Sequence, residues 1–144
     1  MKPAHLLGLG ALALVAIAFT PLASAKNGYR LQAQEQYMLL DKDGKGAISC
    51  TYCHASPSGG SSWNKFGQAM RDLYFGDAKR NVGNMLYLVL KANMDSDGDK
   101  YSDVLEVVAK TLPGDANSKP TKTIAALEAE LKTLGGVDAF KMKK

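Results

Sequence analysis

Metal-binding and redox side chains are scarce in this chain. It holds two cysteines and two histidines, and one of those histidines sits at position 5. Past residue 25 only three Cys or His ligands remain, one short of the four that a structural zinc site uses. Charge of one sign is lacking too. Eighteen basic residues face 14 acidic ones, a net charge of +4, which is too little to argue for a nucleic-acid partner. No segment alternates apolar and polar residues for long enough to mark a strand, so a sheet is not expected to organise the fold. The longest apolar run, Leu6 to Phe19, falls short of the about 20 residues of a comfortable membrane span. No cysteine stands at the end of that run, which excludes lipid attachment at a cleaved N-terminus.

What is present is concentrated. Cys50-Thr51-Tyr52-Cys53-His54 holds both cysteines and the only histidine outside the first few residues. That spacing is the c-type haem attachment signature. Two thiols three positions apart can reach the two vinyl groups on one edge of a porphyrin, and the next residue, His54, can then ligate the iron from the proximal side. A thioredoxin-like dithiol would need a strand-to-helix setting that is not found around residue 50. A disulfide between Cys50 and Cys53 would close a short, strained loop and leave His54 without a role.

The N-terminus suits export. Lys2, the apolar Leu6 to Phe19 and the small residues Ala23-Ser24-Ala25 read as a secretory signal, residues 1–25, cleaved before Lys26. An uncleaved anchor is the alternative, since Leu22 softens the boundary. Cleavage removes one lysine and no acid, which takes the net charge from +4 to +3 and leaves no stable membrane span. Residues 26–144 are enough for one domain, and a haem would supply much of the apolar core of a domain this small. Signal and haem motif together place the chain in the periplasm or outside the cell. The lysines of the tail (Lys141, Lys143, Lys144) read as a solvated end.

Periodicity predicts an all-α domain. Helical patterns cover Leu31 to Leu40, a segment after an N-cap at Ser62 with Trp63, Phe66, Met70 and Leu73 on one face, Val82 to Met94, and Asp103 to Thr111. A last helix, within 121–134, carries Ile124, Leu127, Leu131 and Leu134 on one stripe and is closed by Gly135-Gly136. The haem segment spans 47–75.

Asp95 to Glu106 matches a twelve-residue calcium loop in its ligand positions. Side-chain oxygens fall at positions 1, 3, 5, 9 and 12 (Asp95, Asp97, Asp99, Asp103, Glu106), and Tyr101 offers its backbone carbonyl at position 7. The spacing suits a hard cation that takes six to eight oxygens, and five carboxylates so close repel one another without one. The position usually held by glycine, where the backbone takes a positive φ, is Lys100, at a cost on the order of 1 kcal/mol. The alternative is a solvated acidic turn capping the helix at Asp103. An earlier acidic turn, Asp41-Lys42-Asp43-Gly44-Lys45-Gly46, has lysine at position 5 and Tyr52 at position 12. It lacks calcium ligands and reads as a turn presenting the haem segment.

The run Cys50 to Gly67, C-x-x-C-H-x-x-P-x-G-G-x-x-x-N-x-F-G, resembles small exported bacterial monohaem c-type cytochromes. Residues 95–120 are similar to the Asp-rich calcium repeats called thrombospondin type 3-like. Together the two stretches cover a little over a third of the mature chain. The resemblance implies a small helical cytochrome c-like domain with an EF-hand-like helix-loop-helix, covalent haem c and calcium. It carries thioether attachment onto Cys50 and Cys53, proximal ligation onto His54, and calcium ligation onto Asp95, Asp97, Asp99, Asp103 and Glu106. The usual glycine does not carry onto Lys100, and Asp115 and Asn117 are left to orient the far side of the loop.

With no second histidine in the mature chain, the sixth iron ligand is sought among Met38, Met70, Met85, Met94 and Met142. Met70 shares a stripe with Phe66 and Leu73 and reads as core. Met94, at a helix end, is the preferred candidate and Met85 the next. The expected function is single-electron transfer to and from redox protein partners, with no enzymatic acid or base. The alternatives are a haem-based small-ligand sensor with an open distal site and a haem-bearing subunit of a larger redox complex.

Overall fold

The computed structural model describes residues 23–40 and 48–143. Five helices follow in order: α1 (Ala23–Gln36), α2 (Lys65–Phe75), α3 (Val82–Lys91), α4 (Asp103–Ala109) and α5 (Ile124–Leu134). Two 3-10 turns, Cys50–Tyr52 and Val137–Phe140, complete the architecture. The domain is all-α. Extended pairing among the described residues is a single antiparallel bridge, His54 with Trp63. No helix among them is long and apolar enough to cross a membrane. The predicted signal lies outside the described residues except for its last three, which form the first turn of α1. The turn at 41–46 lies outside them altogether.

The helix ends have local causes. Asn64 caps α2, its side chain accepting from Gly67 N–H at 2.8 Å; Asn81 caps α3 in the same way through Asn84 N–H. The expected cap at Ser62 is therefore displaced by two residues, because Trp63 is held in the bridge to His54. The third helix stops at Lys91 rather than Met94, since Asn93 turns left-handed with φ 51°. Met38, at φ 56°, likewise lies past the end of α1, short of the expected Leu40. Thr123 caps α5 and Gly135 closes it with φ 106°.

Helix α3 is the hub, packing against α1, α2, α4 and the last 3-10 turn, while α5 packs on α4. An aromatic chain runs through the core: Phe66 meets Tyr52 edge-to-face at 5.8 Å, Tyr52 meets Tyr37 at 6.4 Å, and Tyr37 meets Phe140 edge-to-face at 6.1 Å. All four are buried. Tyr37 donates its hydroxyl to Leu86 O at 2.8 Å. Gln36 Nε2 donates to Gly83 O and Phe140 O, both at 2.8 Å, joining α1, α3 and the C-terminal turn. Through Tyr52, this core reaches directly beneath the Cys-x-x-Cys turn.

Candidate functional site

Two clusters of chemistry-bearing residues lie on this scaffold. The first is the turn at Cys50–His54. Backbone hydrogen bonds from Tyr52 N to Ser49 O, Cys53 N to Cys50 O and His54 N to Cys50 O wind it into a tight coil. This brings Cys50, Cys53 and His54 onto one short element, both cysteines as free thiols. The following loop is closed by Ala55 N to Ser62 O and Asn64 N to Cys53 O.

Asn64 locks this turn to α2. Besides capping the helix, it donates from Nδ2 to Thr51 O at 2.9 Å and to Tyr52 O at 3.1 Å. Gly67 is forced by the same packing: a Cβ there would lie 1.8 Å from Cys53 O. Gly114 abuts from the other side, where a Cβ would fall 2.5 Å from the Asn64 amide. The residues Asn64, Phe66 and Gly67 are thus a clamp on the turn. Of these, Phe66 is marked in the sequence by its helical stripe, and Asn64 and Gly67 only by the resemblance. The preference of asparagine for N-caps, three residues before Gly67, was the available signal.

Cys50 is exposed and Cys53 is half-buried, its Sγ donating to Met70 Sδ at 3.6 Å. Burial pushes the Cys53 thiol up to about 12, with Cys50 adding to the effect. The His54 ring stacks on Trp63, centroids 4.1 Å apart and planes 31° from parallel. His54 Nδ1 is buried and meets no hydrogen-bond partner.

The candidate distal methionines are spread out. Met70 is buried beside Cys53, and Met85 is half-buried against the core. Met38, Met94 and Met142 are exposed. The Met142 sulfur accepts from Gln32 Nε2 at 3.7 Å. The Met94 carbonyl accepts from Asp103 N–H at 2.7 Å, at the mouth of the acidic loop.

The second cluster is that loop. Oxygens of Asp95, Asp97 and Asp99 lie within 4.8 Å of one another, close enough to share a metal ion. Asp95 accepts from Gly98 N, Asp99 N and Lys100 N, Asp97 from Asp99 N, and Asp99 from Tyr101 N. Lys100 takes the positive φ (87°) expected of the usual glycine position. Asp97 Oδ2, Asp99 Oδ2 and Glu106 Oε2 are buried without partners. Asp103 lies outside the trio, and its two oxygens accept from Ser96 N and Ser96 Oγ at 2.8 and 2.7 Å. Ser96 is a partner that the ligand pattern does not reveal. Glu106, at the inner end, is fully buried, with Oε1 accepting from Thr111 Oγ1 at 3.4 Å. Burial, then the charges of Asp97, Asp99 and Asp103, push its carboxyl up to about 9. Asp103 is raised to about 6, by burial first, with Asp95 and Asp97 adding and Ser96 opposing. Tyr101 ties the loop to the start of α5 by donating its hydroxyl to Lys122 O at 3.1 Å. Asp115, beyond α4, accepts from Asn117 N and Nδ2 at 3.0 and 3.1 Å.

Comparison with protein-family models, curated proteins and solved structures gave no match.

Proposed function

We propose that the chain is an exported monohaem c-type cytochrome that carries single electrons between redox proteins, with calcium in its acidic loop. The observation that carries this reading is the short turn bearing two free thiols and His54, clamped to the core through Tyr52 and Asn64. Its donor set fits haem c: Cys50 is open to solvent for a thioether, Cys53 sits beside it, and His54 follows as proximal ligand. When bound, haem supplies a one-electron ferric/ferrous couple. The chain's own contribution is to hold His54, exclude water through Tyr52, Phe66 and Met70, and present the turn to a partner. Among the methionines, Met94 is the proposed distal ligand, because its side chain is exposed whereas that of Met70 is packed in the core.

The acidic loop fits a hard cation. Asp95, Asp97 and Asp99 converge, three buried carboxylate oxygens in the loop and at Glu106 lack partners, and like charges there are otherwise uncompensated.

Mass spectrometry of the denatured exported protein tests the haem reading, with porphyrin retained on the chain expected and lost in Cys50→Ala/Cys53→Ala. Unmodified thiols in the exported protein would overturn it. The weak far-red band of a methionine–iron bond should vanish in Met94→Ala. Carbon monoxide binding to the native protein would instead favour the open-site sensor. Calorimetric titration with calcium tests the loop, and absence of heat at millimolar ion would remove calcium from the reading.

A further inference from the structure

We infer that Trp63 is the positioning residue of the iron ligand: its indole orients the His54 imidazole in place of a hydrogen bond at Nδ1. The inference rests on the haem reading above and deepens it. A metal-bound histidine normally donates its second ring N–H to a carbonyl or carboxylate, which fixes the ring's rotation and raises its basicity. Here Nδ1 is enclosed and without a partner. It cannot reach an iron, so Nε2 is the nitrogen left to bind, and no polar contact at Nδ1 sets the ring plane.

Stacking does so instead. His54 and Trp63 are paired across an antiparallel bridge, and the indole covers the imidazole at 4.1 Å and 31°. Rotation of the imidazole about its own axis would drive it into that indole. Trp63 is itself fixed from behind, because the next residue, Asn64, caps α2 and binds the carbonyls of Thr51 and Tyr52. The chain of restraint therefore runs from α2 through Asn64 and Trp63 to His54. Trp63 remains 38% exposed, so it is poorly placed as a core residue but well placed as a wall for the ring. Lacking a hydrogen-bond partner, the imidazole is also a weaker electron donor than a carbonyl-bonded one.

The test uses the mature haem-bearing protein and its Trp63→Phe and Trp63→Leu variants. Mass spectrometry of the parent comes first: a chain without covalent haem overturns the haem reading and this inference with it. With haem attached, NMR of the ferrous parent should give cross-peaks between the His54 and Trp63 ring protons. The ferric parent should show one low-spin EPR species. Trp63→Leu should keep the haem but split or broaden that signal and, by opening Nδ1 to water, lower the reduction potential, while Trp63→Phe, which retains a ring, keeps a single species. An unchanged EPR spectrum and potential in Trp63→Leu, haem attached, overturns the positioning role alone. Where the leucine variant fails to fold, Trp63→Met takes its place with the same two outcomes.

Discussion

The Cys50–His54 turn and the Asp95–Asp99 loop solve one structural problem in opposite ways. Each is an irregular segment that delivers the chain to a helix, and each must satisfy a run of backbone groups. Around the Cys50–His54 turn a neutral amide does so: Asn64 serves Gly67 N–H and the carbonyls of Thr51 and Tyr52. In the acidic loop carboxylates do so: Asp95 takes three backbone N–H groups, and Asp97, Asp99 and Asp103 one each. A neutral clamp holds its shape unaided. Charged acceptors gather like charges into one place, and only a cation or a proton relieves the repulsion. The first region thus holds a fixed geometry with neutral groups, and the second gathers charge that an ion or a proton would offset.

The comparison breaks most severely at the neutral clamp. Gly67→Ala places a Cβ against the Cys53 carbonyl and should destabilise by about 3 kcal/mol, measured as a fall in the urea midpoint, with less haem attached per chain. Asn64→Ala leaves the cap and two carbonyls unserved and should cost about 2 kcal/mol by the same measurement.

The acidic side is probed by pH. Glu106 ordinarily titrates at 4.5 but is raised to about 9 in the fold, so between those values the folded chain holds a proton that the unfolded chain releases. Its contribution to stability is complete below pH 4.5 and is lost as pH rises towards 9. Thermal melts in a chelator should therefore show stability falling across that window. Glu106→Gln should flatten the slope, as should millimolar calcium, which replaces the proton as counter-charge. A slope unchanged in Glu106→Gln would assign the loop's electrostatics to other groups. The smallest effect belongs to Lys100, held at φ 87°. Lys100→Gly should stabilise by about 1 kcal/mol and tighten calcium binding severalfold, read by calorimetry.

Much of the fold is legible in the residue pattern because helices leave a periodic trace. The stripes through Phe66 and Met70 and through Leu86, Val89 and Leu90 lie on buried faces, whereas the last stripe is buried at Leu127 and exposed at its ends, Ile124 and Leu134. The ends were less legible. Asn93 and Met38 leave the helical region by turning left-handed, a choice made by what the next segment must reach rather than by the residue itself. In the same way, Ser62 resembles a cap until Trp63 is seen to be engaged by His54.

At the level of donors, sequence alone determined a great deal: two thiols and an imidazole in five residues, and five carboxylates in twelve. Spacing along a turn is a local property, and local geometry brings neighbours such as Asp95, Asp97 and Asp99 together without reference to the rest of the fold. Only the tertiary structure decided how those groups divide their work. It turns Asp103 onto Ser96, buries Glu106 behind the aspartates, and sets Gly114 against Asn64. It also packs Tyr52 into an aromatic core between Tyr37, just past α1, and Phe66 of α2. These pairings depend on which surfaces meet when helices pack, and packing joins residues that no spacing rule connects.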